Sequence, residues 1–223
     1  LGNGIKVDTS VAVSEERVTG KLGLVNPNYN YSGNAVFTDL TLSSTDTAST
    51  TGFKSQKTGF SLGTQFEQYE NIYLAPSFAL AYEEITTSAT ASSSIKKQEG
   101  TYTNADFSYS IVSDQRNQVY GPTAGYRAHF EQTLPLIFDS AALSNTFNIT
   151  KYHALTDNVI GTIKFQARSI NGLNDEDVRL SRRLYIPKKR LRGFEVLQTG
   201  PKDGKSFVGG NYSTALGFEA QLP

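Results

Sequence analysis

Seven cations stand between Val178 and Phe194 with no carboxylate among them: Arg179, Arg182, Arg183, Lys188, Lys189, Arg190 and Arg192. The chemistry open to such a run is recognition of anions, whether nucleic-acid phosphates, a charged membrane surface or carboxylates of the protein itself. Glycine and proline punctuate the stretch. Arg192 is followed by Gly193 and Phe194, then come Gly200-Pro201 and Gly209-Gly210-Asn211. No helix or aromatic stacking platform accompanies the cations, so nucleic acid is not expected as a partner. Lipopolysaccharide phosphates suit them better if the segment reaches a cell surface. Unstructured loops longer than about 12–15 residues are uncommon and usually functional or disordered.

Other candidates for chemistry are thin. The chain has no cysteine and two histidines, His129 and His153, which fall on opposite faces of different strands. No metal site or cofactor is expected from them. Serine and aspartate are plentiful, but no Gly-x-Ser-x-Gly elbow appears, which leaves an outer-membrane lipase a poor reading. Gly33, Gly59 and Gly63 read as strand glycines rather than a phosphate loop. A non-enzyme is expected.

The elements that must position the basic segment are strands. Val7, Thr9, Val11 and Val13 share one parity and Lys6, Asp8 and Ser10 the other, the alternation of side chains along a strand. The same period recurs with Leu22 and Leu24; Val36, Leu40 and Leu42; Phe60, Leu62 and Phe66; Leu74, Phe78 and Leu80; Phe107, Tyr109 and Ile111; Tyr126, Ala128 and Phe130; Phe147 and Ile149; Ile163 and Phe165; and Leu216 and Phe218. About ten strands of roughly 9–12 residues are expected, the length that crosses a tilted bilayer path. No convincing helix is foreseen, and Thr86–Gly100 reads as a mobile polar loop.

With 21 Lys plus Arg against 21 Asp plus Glu, the chain is neutral, so the basic loop is a local feature. No run of about 18 apolar residues offers a transmembrane helix. A barrel of alternating strands is compatible with the negative mean hydropathy. Whole charges stand mid-strand on the polar parity, such as Lys164, Arg168, Arg127 and Glu131, and these are costly in a dry core but cheap beside a wet lumen. The connections read as compact on one side and long on the other (Ser43–Ser55, Ile85–Thr101, Gly172–Val208), as outer-membrane barrels are built. With 12 tyrosines and 13 phenylalanines, an interfacial girdle is also available. Both ends, Leu1-Gly2-Asn3-Gly4 and Glu219-Ala220-Gln221-Leu222-Pro223, read as the middle of something, so a fragment is expected.

The segment Leu191-Arg192-Gly193-Phe194, Gly200-Pro201, Gly209-Gly210-Asn211 and the strand through Gly217-Phe218-Glu219 resembles the sixth extracellular loop and following strand of the BamA-like outer-membrane assembly barrels. Leu24-Val25-Asn26-Pro27, Leu1-Gly2-Asn3-Gly4 and Gly121-Pro122-Thr123-Ala124-Gly125, which is similar to the family's Pro-Thr-x-Gly turn, add to the likeness. Leu191 stands where the family has valine, and Ile186-Pro187-Lys188-Lys189 is bulkier than its glycine-rich approach.

The resemblance covers the whole chain, 1-223, as part of a C-terminal barrel domain with a long basic extracellular loop over 172-208. It implies an all-β, antiparallel, incomplete transmembrane barrel, about ten strands of a sixteen-stranded one, from about the third to about the twelfth. It further implies folding and insertion of nascent outer-membrane proteins in the bacterial outer membrane, beside accessory assembly lipoproteins and the lipid bilayer. A secretion pore of the same superfamily and a diffusion porin are the rivals. In the family's arrangement the loop tucks into the barrel, Arg192 is held by carboxylates of the inner wall, Glu219 is one of these, and Phe194 packs inside beside the arginine.

Overall fold

A computed structural model describes residues 4–139, 141–174, 176–195 and 197–221. Leu1-Gly2-Asn3 and Leu222-Pro223 lie outside these residues. Nine strands follow one another: β1 (Lys6–Val13), β2 (Arg17–Asn26), β3 (Ala35–Asp46), β4 (Phe53–Tyr69), β5 (Ile72–Thr87), β6 (Gly100–Asp114), β7 (Gly125–Phe138), β8 (Ala142–Thr156) and β9 (Val159–Gly172). A small hairpin, β10 (Lys202–Asp203) with β11 (Ser206–Phe207), precedes the last strand, β12 (Tyr212–Gln221). The main sheet has ten strands in the order β1 to β9 and then β12, each antiparallel to its neighbour. Its two edges, β1 and β12, do not meet, so it is an open sheet of barrel type.

The alternation read from the sequence is realised as two faces. Phe60 lies between Leu40 and Leu80, and Leu62 between Thr38 and Phe78. Phe165 pairs with Leu216 and Ile163 with Phe218. Their face carries no covering layer: Phe78 and Leu216 are each 57% exposed and Phe218 is 71% exposed. A patch of that extent suits hydrocarbon rather than water as its neighbour. On the opposite face Lys164 pairs with Gly217, Arg168 with Ser213, and Arg127 with Thr150, and the Lys21 ammonium lies 2.9 Å from Asp39.

The strands are longer than the sequence suggested. β4 has 17 residues, β5 has 16, and β6 and β8 have 15 each. Alternation marks only the part of a strand that separates lipid from water, roughly 9–11 residues. The remaining length extends the wall at the end that carries the long loop. There the inner face turns apolar, through Phe53 and Ile85.

Thr86–Gly100 also differs from expectation. It contains a one-turn helix, α1 (Ser93–Lys96), with the Ser92 hydroxyl accepting from the Ile95 amide at 3.4 Å. Serines that made the stretch look mobile serve as cap and tether here, and Ile95 is buried.

Two outcomes check this architecture. Single cysteines placed in the full-length protein should react with a lipid-soluble probe at Phe165, Leu216 and Phe218, and not at Lys164. Residues 1–223 expressed alone should give no monodisperse, heat-modifiable barrel in detergent, because unpaired ladder groups on β1 and β12 face a solvent that cannot satisfy them.

Candidate functional site: the loop returned onto the inner wall

The segment from Leu173 to Asn211 leaves β9 at one end of the sheet and folds back onto the polar face. Its first anchor is apolar. Val178 and Leu184 pack with Ala142 and Ile170, while Leu180 and Val208 join Phe53, Ile85, Ala91 and Ile95 in a second cluster flanked by Tyr102. These are the clusters that fold the loop into a body of its own.

Between the two buried aliphatics Val178 and Leu180 stands Arg179, only 3% exposed. Its guanidinium donates to Glu83 Oε2 at 3.3 Å and to Asn104 Oδ1 at 3.1 Å, and lies 4.0 Å from the centroid of the Tyr102 ring. Glu83 also accepts from Ser55 Oγ at 2.6 Å and Ser181 Oγ at 3.0 Å. A carboxylate with three donors and a cation with an acid, an amide and an aromatic face offset much of each other's desolvation. Burial lowers the Arg179 pKa from its ordinary value, and the charge of Glu83 opposes that shift. Arg182 lies 3.7 Å from Asp106, and the Leu180 amide donates to Gln98 Oε1 at 2.8 Å.

The second anchor is the pair of segments that close the loop. Leu184 and Gly210 exchange backbone hydrogen bonds at 2.8 and 2.9 Å, and the Asn211 carbonyl accepts from Ile170 at 2.8 Å. Gly209 has φ 66°, and a Cβ there would meet the Tyr185 ring at 2.9 Å. The Tyr185 hydroxyl donates to the Phe207 carbonyl at 3.0 Å. The Pro201 carbonyl accepts from Val208 at 3.0 Å, just after Gly200 in the left-handed region. Asp203 accepts from Ser92 at 2.6 Å and from Ser94, tying the β10–β11 hairpin to α1. These two hydroxyls hold the Asp203 carboxyl below its ordinary value.

From these anchors the tip runs along the wall. Glu219, beside Thr162, is seven residues from Tyr212, about 23 Å at roughly 3.3 Å per residue. Arg192 reaches it: its guanidinium lies 3.4 Å from Glu219 Oε1. The side chain is nonetheless 83% exposed, and the stronger partner of Glu219 is Lys164 on β9. Gly193 has φ 84° with open space around it, and Phe194 is 56% exposed rather than packed inside.

The enclosed arginine of this loop is therefore Arg179, which nothing in the basic run distinguishes from its neighbours except its place between Val178 and Leu180. The sequence did carry a second sign. Phe53 and Ile85 are apolar residues on the polar parity, which requires something to cover the inner face at that height. No group of three His, Cys, Asp or Glu suited to a metal occurs among the described residues. The arrangement clamps a loop to a wall.

The comparisons agree with this architecture. The family described as Omp85 superfamily domain matches residues 1–223. A SAM50-like protein of Schizosaccharomyces pombe is 29% identical over 142 residues, covering 60% of this chain and 30% of the yeast protein. The crystal structure of BamA from Haemophilus ducreyi lacking POTRA domains 1-3 superposes with a TM-score of 0.86 at 18% identity, over 100% of this chain and 48% of that one. The chain thus spans about half the length of the solved barrel protein it matches.

The clamp orders the effects of substitution. Removing one partner of a buried, hydrogen-bonded ion pair costs about 3–5 kcal/mol, whereas an exposed pair is worth roughly 0–1 kcal/mol. In the full-length protein, Arg179→Ala or Glu83→Ala should render the loop protease-sensitive, and Arg192→Ala should change its cleavage rate far less. Equal effects at Arg179 and Arg192 would show that the wall clamp is not what holds the loop.

Burial of Tyr185 raises its pKa from 10.0 to about 12, an effect that the nearby Arg183 reduces. A raised folded-state value means that the stability is fully present below pH 10.0 and lost as pH rises through about 12. Ultraviolet titration of the wild type minus Tyr185→Phe should show one late tyrosine, and loop protection should fall in the same window.

Proposed function

Since the chain belongs to the Omp85 superfamily, we propose that it forms the loop-bearing half of an outer-membrane barrel that folds and inserts other β-barrel proteins. The observation that carries this reading is the combination of an open antiparallel meander with a long loop clamped on its inner wall. It is supported by the likeness to a protein named BamA across all of this chain and by a SAM50-like relative.

The work is not chemical. An incoming client strand pairs with an exposed barrel edge by β-augmentation, so that main-chain hydrogen bonds supply affinity without sequence dictation. A wall of alternating residues tolerates this because its outer face already meets lipid and its inner face meets water. The clamped loop keeps the wall in shape while an edge is in use. Nascent outer-membrane proteins are the clients and accessory lipoproteins the helpers. We place the protein in a bacterial outer membrane. The yeast relative favours a eukaryotic membrane as the second reading, and fractionation of the source cells separates the two.

The test is reconstitution of the full-length protein in proteoliposomes with an unfolded, heat-modifiable β-barrel client. Accelerated folding of the client, slowed several-fold by Arg179→Ala, is the expected result. Export of a soluble client, with no effect on barrel folding, would instead assign the protein to secretion.

A further inference from the structure

At the lower end of the returned loop, Arg190 reaches the inner wall of β7 and β8 beside the turn Gln115–Ala124. A cavity of about 340 Å³ lies there, lined among others by Arg116, Arg127, His129, Asn148, Thr150 and Arg190. Among the described residues no carboxylate lines it. Asp114 beside it is committed: it takes Arg116 Nε at 2.7 Å and Nη2 at 2.6 Å, and lies 3.7 Å from Arg127 Nε. Arg116 and Arg127 therefore share one carboxylate, while Glu131 lies 3.8 Å from His129 and Glu219 is held by Lys164 and Arg192.

Arg190 shows the deficit most clearly. Its Nη1 is shut off from water and has no hydrogen-bond partner among the described residues. A buried guanidinium donor calls for an acceptor, and among the described residues none that lines the cavity carries a carboxylate.

We propose that this cavity binds an oxyanion of the phosphate class, which bridges Arg190 of the loop to Arg127 of the wall. Tetrahedral oxygens match the planar donor fork of arginine, and a doubly charged anion would neutralise the excess cations. Asn148 and Thr150 add neutral donors on the wall side. Since Arg190 is, among the described residues, the member contributed by the returned loop, occupancy latches the loop tip to the wall, independently of the Arg179 clamp. The anion comes either as free phosphate or as the phosphate of a lipid headgroup.

The test uses the full-length protein and endoproteinase Lys-C, which cuts after the exposed Lys188 and Lys189 of the tip. Inorganic phosphate should slow tip cleavage at least threefold relative to chloride at equal ionic strength. Arg190→Gln and Arg127→Gln should each abolish that protection while the barrel keeps its heat-modifiable mobility on gels. Protection in phosphatidylglycerol nanodiscs without added phosphate, absent in phosphatidylcholine, assigns the anion to a lipid; protection by phosphate in both assigns it to the free ion. Equal cleavage in phosphate and chloride in both nanodiscs, protection surviving both substitutions, or a full-length structure with Arg190 on a protein carboxylate would overturn the proposal.

Discussion

Lipid offers the backbone no hydrogen-bond partner, and everything else in this chain follows from that. Each N–H and C=O crossing the bilayer has to be satisfied by a neighbouring strand. A meander in which β1 to β9 pair in sequence and β12 closes on β9 does this with no crossover. The ladder then fixes the side chains, because in an antiparallel sheet one parity must face outward. Phe60, Phe78, Phe165 and Phe218 go to lipid, and Lys164, Arg168 and Glu219 go to the water-filled side. No packed core is needed along the spanning region, and the described clusters of buried apolar residues stand where the loop meets the wall.

The loop is held by a different kind of physics. Alternation costs nothing to read, but a docked loop depends on which of many similar groups becomes enclosed. Arg179 and Arg192 are the same residue in the same basic run, separated by 13 positions. One is flanked by aliphatics that find a hydrophobic seat and drags its charge in with them. The other follows a proline-lysine turn, stays wet, and shares Glu219 with Lys164. The difference in environment, and not in chemistry, decides which one acts as the clamp.

That contrast also marks what could be read beforehand. The strand number, the two faces and the family likeness follow from period 2 and from the glycine-punctuated segment around Arg192-Gly193-Phe194. The strand ends do not, because beyond the lipid zone Ser43, Ser44 and Thr45 suit a ladder as well as a loop. α1 was invisible because four serine-rich residues carry no period. Glu83 could be placed on the inner face by parity, but its partnership with Arg179 spans 96 residues and leaves no local trace.

The same long separations set an order of events. The hairpins from β1 to β9 close short connections, which is entropically cheap and fast, whereas the contacts of Arg179 and Ser181 with Glu83 and Asn104 close loops of 75 to 98 residues. The wall therefore zips first and the loop docks late, onto strands that already exist. A loop that docks late finds its seat on a wall whose hydrogen-bond ladder is already made. In this order the seat exists before its occupant: the side chains of Glu83 and Asn104 are fixed by their strands, and Arg179 arrives at a site already shaped for it.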